Sequence, residues 1–464
     1  MTSVPTALAQ PLRLPCGAVL LNRLCKSAMT EGIADPWLRA TDRHERLYRR
    51  WSHGGAGLLI TGNVQIDRRV LERPGNVAID VTDPVSVSPE ARLRLARWAE
   101  AGTSGGNQLW MQIAHAGRQS PRYVTREPLG PSRVQLDVLG GYAAPRALTE
   151  AEILDFINRF ARVAGIAREC GFTGVQLHGA HGYLLSSFLS PVTNRRTDAW
   201  GGTLENRARM LLEAVRAARR TVGADFPLAV KLNSDDFRTG GFGIDECLEV
   251  VGLLNREDLD LLEVSGGTYE QPRLLGMEGD PASVRPVRES TRAREAYFLD
   301  YAARIRTVAR MPLMVTGGFR TRAGMEAAVT AGDCDLIGLA RPLCLDPDFP
   351  RRLLSGEVTE AAAVEKTLVL RERGVLSPSS PLLLLRLLNV LGAQGWYYHQ
   401  IFRLADGLDP DRNRGVVRSI VGHFADELRA ARRVHRARRA ARTPATDHPS
   451  TGPRAADARR SCRP

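Results

Sequence analysis

The 464-residue sequence predicts an α/β fold, a (β/α)8 (TIM) barrel followed by a C-terminal helical extension and a basic tail. Two observations predict the barrel. Eight short apolar runs recur in the first three quarters of the chain, and amphipathic helical patterns separate most of them. Strands that are apolar throughout suit a parallel sheet, either closed or open, and a count of eight favours the closed barrel.

Most of the predicted strands end in glycine or a polar residue. The strands are Leu24–Met29, Gly57–Gly62, Gln108–Ala114, Thr173–His178, Leu228–Asn233, Leu261–Ser265, Leu313–Gly317 and Leu336–Ala340. Functional residues of such barrels lie on the loops after the strands, so these ends are the candidates for a site. Two of the loops, Gly117–Leu148 and Gly266–Glu295, are long enough to cover a pocket.

The clearest helical pattern runs from Thr149 to Cys170. Thr149 and Glu152 have the spacing of a capping box, and Gly171 stands where a helix is expected to end. We expect three segments in the chain: the barrel in residues 1–350, the helical extension in residues 351–425 and an Arg-rich tail in residues 426–464.

The net charge of +13 raises nucleic acid or an anionic surface as partners, so its distribution matters. Eleven arginines and two aspartates fall between Leu428 and Pro464, which places +9 in this segment. The arginines alternate with alanine and lack the aromatic residues that stack on bases. This pattern favours a solvated tail, disordered at its end, over nucleic-acid binding, which remains the less favoured alternative.

The seven cysteines contain no Cys-x-x-Cys pair, which argues against a zinc site or an iron–sulfur cluster, and no metal is expected. Reduced thiols are typical of a cytoplasmic protein. The most apolar run, Pro381–Gly392, is short and contains Arg386 and Asn389. Neither a membrane span nor a signal peptide is therefore expected.

A dense motif follows the fourth predicted strand, with His178, His181 and Tyr183 in Leu177-His-Gly-Ala-His-Gly-Tyr-Leu184. Paired imidazoles can hydrogen-bond one carbonyl oxygen and stabilise negative charge that develops on it. A nearby tyrosine can supply a proton to carbon. The alternatives are buried core histidines or metal ligands, and a metal would need a third ligand of which the sequence gives no sign.

This motif, together with Gly201-Gly-Thr-Leu-Glu-Asn-Arg207, resembles the Old Yellow Enzyme family of NAD(P)H:flavin oxidoreductases. The resemblance extends from about Leu12 to Pro347. It implies that His178 and His181 bind the electron-withdrawing group of the substrate and that Tyr183 is the proton donor. It also implies FMN as the bound cofactor and NADH or NADPH as a transient hydride donor.

The resemblance implies flavin contacts at the ends of four strands. Backbone groups of Ala28 and Met29 would touch the isoalloxazine, and the Thr30 hydroxyl would bond its C4 carbonyl, although the family often has proline at the position of Ala28. The remaining positions are Gly62, where the backbone approaches the ring, Gln112, whose amide pairs with the pyrimidine edge, and Lys231, beside N1 and O2. A salt-bridged core lysine is the alternative for Lys231.

The last two strands predict a phosphate site. Glycine-rich turns after these strands expose backbone N–H groups, and an arginine adds a bidentate cation. The residues are Gly317, Gly318, Gly338, Ala340 and Arg341. Such a site indicates a phosphorylated ligand, and the flavin contacts specify FMN.

The predicted function is therefore ping-pong reduction of a small activated alkene, such as an α,β-unsaturated carbonyl compound, by NAD(P)H through FMN. The sequence lacks a Gly-x-Gly-x-x-Gly motif for a stably bound dinucleotide, so the nicotinamide is expected to enter the substrate pocket. Flavin-dependent oxidation, as in an NADH oxidase or an amine or ketone dehydrogenase, is the alternative. The physiological substrate, the choice of NADH or NADPH and the oligomeric state stay open, a homo-oligomer being one alternative.

Overall fold

Eight parallel strands close into a barrel in the computed structural model, which describes residues 6–138, 140–267 and 298–440. Each strand pairs with the next along the chain and the eighth pairs with the first, as the sequence predicts. The strands are β1 (Leu24–Lys26), β2 (Leu58–Ile60), β3 (Gln108–Ala114), β4 (Gly174–Gly179), β5 (Leu228–Asn233), β6 (Leu261–Ser265), β7 (Leu313–Thr316) and β8 (Leu336–Leu339).

Helices surround the barrel and continue beyond it. They are α1 (Asp42–Ser52), α2 (Pro89–Thr103), α3 (Glu150–Glu169), α4 (Leu184–Leu189), α5 (Leu204–Val222), α6 (Ile244–Leu254), α7 (Leu299–Arg306), α8 (Arg322–Thr330), α9 (Arg341–Leu345), α10 (Phe349–Ser355), α11 (Leu383–Ala405) and α12 (Val416–Ala440). Short 3-10 helices occupy Ala7–Ala9, Gly117–Gln119 and Val364–Lys366. The predicted capping box of α3 is confirmed, because Thr149 and Glu152 each accept a hydrogen bond from the backbone N–H of the other.

An apolar plug fills the N-terminal end of the barrel. An antiparallel hairpin of Leu12–Arg13 and Val19–Leu20 contributes buried leucines to the same cluster as residues from the barrel strands. The strand residues in this cluster are Cys25, Leu58, Ile60, Trp110, Ala229, Leu261, Met314 and Leu336. Among the described residues the plug closes this end, so the candidate site is expected at the opposite end, where the strands finish.

Further short strands support the loops at that end. Val64–Gln65 pairs with the end of β3, and Leu129–Gly130 pairs with Arg146–Ala147 inside the long loop after β3. The rest of the second predicted long loop, beyond Gly267, lies outside the described residues.

The C-terminal helix α12 packs on the loops at the open end. Val434 belongs to one buried cluster with Leu38, Leu71, Ala78 and Val124, which come from the loops after β1, β2 and β3. Residues 426–440 of the predicted Arg-rich tail thus form the last part of α12, because buried Glu427, Ala431 and Val434 give this segment an inward face. Residues 441–464 lie outside the described part of the chain.

Two properties of the described residues bear on function. No helix among them is both long and apolar enough to cross a membrane. Within the same ranges, no three His, Cys, Asp or Glu side chains are grouped so that they could hold a metal ion.

Candidate active site

His178, His181 and Tyr183 form one buried cluster at the end of β4. The ring of His178 lies 5.1 Å from that of His181 and 4.8 Å from that of Tyr183, measured between ring centroids. The tyrosine is 4% exposed and is the N-cap residue of the short helix α4, so its backbone is fixed by the helix start and its ring by its neighbours. The structure brings together the three residues that the motif singled out.

The backbone of His181 is in the left-handed region, with φ of +62°, which is uncommon for a residue other than glycine. Two side chains hold it there. The Asn233 Oδ1 atom accepts from the His181 N–H at 3.0 Å, and the Gln119 Nε2 atom donates to the His181 carbonyl at 2.8 Å. A strained conformation that is held in this way positions a side chain, here the imidazole that faces His178.

Both imidazoles are neutral at neutral pH. Burial lowers the pKa of His178 and that of His181 well below the usual 6.5, and the charge of nearby Lys231 acts in the same direction. The Nδ1 atom of His178 accepts a hydrogen bond from the Ala180 N–H at 3.2 Å. A neutral imidazole that accepts at Nδ1 carries its proton on Nε2, so His178 presents a donor there.

His181 has a partner that the sequence did not reveal. Its Nε2 atom lies 2.7 Å from the Ser265 hydroxyl at the end of β6. His181 can therefore reach a ligand through its other ring nitrogen, or through Nε2 after this bond is given up. The two histidines are not equivalent, and His178 is the better placed donor.

A polar layer lies directly above the apolar plug. Its side chains are connected by hydrogen bonds, some of which join strands that are not neighbours in the sheet, so they face the barrel interior. We call these residues the polar floor: Ser27, Gln112, Gln176, Lys231, Glu263 and Thr316. Strand register sets their level, since Lys231 is aligned with His178 on one side and with Glu263 on the other.

Glu263 is the centre of the polar floor. The Lys231 Nζ atom lies 2.9 Å from Glu263 Oε1, and the Thr316 hydroxyl donates to the same oxygen at 2.7 Å. The Gln176 amide donates to the other oxygen at 2.8 Å and accepts from Gln112 Nε2 at 2.6 Å. A buried charge pair needs such additional hydrogen bonds, because they offset its loss of hydration.

The first predicted flavin-contact segment has protein contacts of its own. Ala28 packs against the apolar plug, and the Met29 sulfur lies 3.5 Å from the sulfur of Cys344. Burial raises the pKa of the Glu72 carboxyl, and the nearby Thr30 hydroxyl acts in the opposite direction. Thr30 thus has a partner in the loop after β2 that the sequence did not predict.

Two of the predicted glycines are explained by close packing. A Cβ atom on Gly62 would collide with the Met29 carbonyl and with the carboxylate of Glu31, which accepts from the Gly62 N–H at 2.9 Å. A Cβ atom on Gly338 would collide with the hydroxyls of Ser27 and Thr316. Both glycines thus let loops or polar side chains approach each other at the open end.

The predicted phosphate residues lie at the ends of β7 and β8. Gly317 and Gly318 have φ values of +113° and +92°, a region that L side chains rarely adopt. Ala340 precedes α9, and Arg341, the first residue of that helix, is partly exposed. Glu365, from the C-terminal extension, lies 3.8 Å from the guanidinium of Arg341.

Several polar residues that contact the predicted site residues are not apparent from the motifs. Gln176, Glu263 and Ser265 were not predicted as site residues, although each is polar in an otherwise apolar strand. Gln176 and His178 are two residues apart, as are Glu263 and Ser265, so in each strand both face the same side. That spacing of two was the available signal.

Known proteins match this chain over the barrel. The model of the NADH:flavin oxidoreductase / NADH oxidase family matches residues 7–360. An NADH-dependent flavin oxidoreductase of Neonectria sp. is 38% identical over 369 residues, which are 76% of this chain and 47% of that protein. Another, of Hypocrea jecorina, is 34% identical over 395 residues, which are 80% of this chain and 96% of that protein.

A solved structure agrees with these relatives. The old yellow enzyme homologue of Zymomonas mobilis superposes with a TM-score of 0.64 at 25% identity, covering 77% of this chain and 95% of that one. The chain spans about half of the Neonectria protein but nearly all of the Hypocrea protein. The protein therefore belongs to the NADH:flavin oxidoreductase / NADH oxidase family, the family of the old yellow enzymes.

Proposed function

We propose that the protein is an FMN-dependent NAD(P)H oxidoreductase that reduces the C=C bond of α,β-unsaturated carbonyl compounds or related activated alkenes. The observation that carries the proposal is the buried cluster of two neutral histidines and a tyrosine beside the polar floor. Relatives named NADH-dependent flavin oxidoreductases support a nicotinamide as the hydride source.

The residues at the open end fit FMN. Gln112 offers a carboxamide, which both donates and accepts, and Lys231 offers a cation, as the pyrimidine edge of a flavin requires. The paired positive φ angles of Gly317 and Gly318 leave backbone without side chains where a phosphate would lie, and Arg341 adds a cation. Bound there, FMN would supply the hydride-transfer chemistry between the nicotinamide and the alkene.

The histidines bind and polarise the substrate. The Nε2–H of His178 donates to the substrate carbonyl oxygen. His181, whose ring faces that of His178, donates to the same oxygen through its other ring nitrogen, or through Nε2 after its bond to Ser265 is given up. Negative charge develops on this oxygen when the β-carbon is reduced, and a donor that is already fixed in a water-poor site stabilises that charge strongly. Because the imidazoles are neutral, they polarise the carbonyl without adding a buried charge.

Tyr183 supplies the proton. Its ring centroid lies 4.8 Å from that of His178, which would bring the phenol close to a substrate whose carbonyl the histidine holds. Transfer of the phenolic proton to the α-carbon completes the saturation of the bond. General acid catalysis of this kind contributes about 10² to 10⁴ in rate.

The test is a pair of half-reactions on the purified, FMN-loaded protein. Anaerobic NADH or NADPH should bleach the flavin, and 2-cyclohexenone should then restore its colour. Tyr183→Phe should slow the second step by about 10²-fold or more and leave the first within about two-fold, because only the second step needs a proton on carbon. Equal slowing of both steps would remove Tyr183 from the proton-donor role, and a protein that does not bind FMN would refute the proposal.

A further inference from the structure

A cavity of about 660 Å³ lies between the loop after β3 and the C-terminal helix α12. We call it the basic groove. Arg122 and Arg126 line it from the loop, and Arg432, His435, Arg436 and Arg439 line it from the helix. No lining residue is acidic, so the cavity is cationic.

Four arginines of the basic groove have no carboxylate partner among the described residues. Among the residues that the structure describes, Arg122, Arg126, Arg432 and Arg436 take part in no ion pair, whereas most arginines on the barrel helices do. Arg432 and Arg436 are four residues apart on α12, and like charges at this spacing destabilise a helix. Cations near a helix C-terminus interact favourably with the helix dipole. The dipole does not explain Arg122 and Arg126, which line the groove from the loop.

The basic groove is preformed. Tyr123, which lies between the groove arginines of the loop, donates its hydroxyl to Glu427 of α12 at 3.0 Å. Its carbonyl accepts from His435 Nε2 at 2.9 Å, and Val124 and Val434 share one buried cluster. Loop and helix are thus fixed to each other by two hydrogen bonds and an apolar contact, so a ligand would not have to order them.

The loop that lines the basic groove also contacts the candidate active site. Gln119, which holds the backbone of His181, is only three residues before Arg122, so their Cα atoms are at most about 11 Å apart. The dinucleotide donor of the proposed reaction places its nicotinamide at the flavin. The phosphates of the dinucleotide must then lie outside the barrel. Their distance from the nicotinamide is limited by the length of an extended dinucleotide.

We propose that the basic groove binds the adenosine phosphate half of the hydride donor, with α12 supplying part of that site. The inference rests on the proposed function for the identity of the ligand. Guanidinium groups suit phosphate oxygens because they form bidentate, charge-assisted hydrogen bonds. The chemistry is shared by NADH and NADPH, which both carry the diphosphate, whereas only NADPH carries a 2′-phosphate.

Binding is tested directly by calorimetry with adenosine 5′-diphosphate and adenosine 2′,5′-bisphosphate on the FMN-loaded protein. Arg122→Gln and Arg436→Gln should each weaken binding roughly five- to ten-fold, as expected for one solvent-exposed charge-assisted contact. Arg433→Gln is the matched control. It removes the same charge from the adjacent, exposed position of α12, outside the basic groove, and should change affinity less than about two-fold.

Stopped-flow reduction of the flavin then identifies the donor. If the Kd of NADH and that of NADPH rise equally in Arg122→Gln and Arg436→Gln, the basic groove binds the diphosphate. If the Kd of NADPH rises more than that of NADH, the basic groove binds the 2′-phosphate. Either result supports the proposal.

Three results would overturn it. These are failure of both nucleotides to bind, equal weakening by Arg433→Gln, and binding of a single-stranded oligonucleotide in place of the nucleotides. Calorimetry does not depend on turnover. If the protein binds the nucleotides through these arginines but reduces no enone, the proposed reaction fails and the nucleotide site stands.

Discussion

The Lys231 ammonium lies 2.9 Å from the Glu263 carboxylate in the middle of the barrel, so a cation that acts on both candidate histidines is paired with a buried anion. Strand register produces this pair, because Lys231 and Glu263 are directly aligned on neighbouring parallel strands. A cation beside a flavin favours the anionic reduced form of the flavin. In the proposed FMN site, the negative charge of Glu263 would oppose this effect of Lys231.

Glu263→Gln should therefore raise the midpoint potential of bound FMN. The amide keeps the shape of the side chain but removes the negative charge that balances Lys231. The interaction of this charge with an anionic reduced flavin is about 1 to 3 kcal/mol at an effective protein dielectric. An anaerobic dye-coupled reductive titration measures the potential. Lys231→Met should lower it, and a potential unchanged in both variants would show that the pair does not act on the flavin.

Stability should fall as the pH drops from about 6.5 towards 5. Burial lowers the pKa of His44 to about 3 and that of His423 to about 4, and it lowers the pKa values of His178 and His181 as well. Below pH 6.5 the unfolded chain binds protons at these residues and the folded chain does not. Each histidine then costs up to about 1.4 kcal/mol of unfolding free energy per pH unit.

Urea unfolding of the FMN-loaded protein at pH 7.0 and 5.5 measures this slope. His44→Gln should reduce the slope by one histidine's share, whatever it does to stability at neutral pH. The carboxyls of Glu72 and Asp236, whose pKa values burial raises, act in the opposite direction at the acid end. A slope that His44→Gln leaves unchanged would contradict the assignment of a buried neutral imidazole at this position.

Removing only one partner of the ion pair between Arg73 and Glu427 should destabilise the protein. Both side chains are buried, at 4% and 5% exposure, and the Arg73 Nε atom donates to Glu427 at 3.0 Å. Arg73→Met alone should cost about 3 to 5 kcal/mol, because it leaves a buried carboxylate without its cation. Urea unfolding of Arg73→Met, Glu427→Met and the double variant forms a double-mutant cycle. Additive losses would show that the two residues do not interact.

The barrel was predictable because its signals are local. Each strand is a short apolar run, and the capping box of α3 needs only Thr149 and Glu152. His178, His181 and Tyr183 were recognisable because they are close in sequence and follow one strand. Their spacing places them in one motif, and contacts of His181 with Asn233 and Gln119 fix the geometry of the cluster.

Partners that are distant in sequence were not predictable in the same way. His181 and Ser265 are 84 residues apart, and only the register of β4, β5 and β6 brings them within 2.7 Å. The Arg-rich composition of residues 426–440 predicted a solvated tail and gave no sign of the buried face formed by Glu427, Ala431 and Val434. One buried residue per turn is a weak signal in a segment of that charge.

The position of α12 also has a consequence for the order of folding. Arg73 and Glu427 are separated by 354 residues, so the contact closes a very long loop. During synthesis the barrel strands emerge first, and Leu38, Leu71 and Val124 remain uncovered until the end of α12 has emerged. We therefore expect docking of α12 to follow formation of the barrel, so the loops around the candidate active site gain this cover only after the segment that contains α12 has been made.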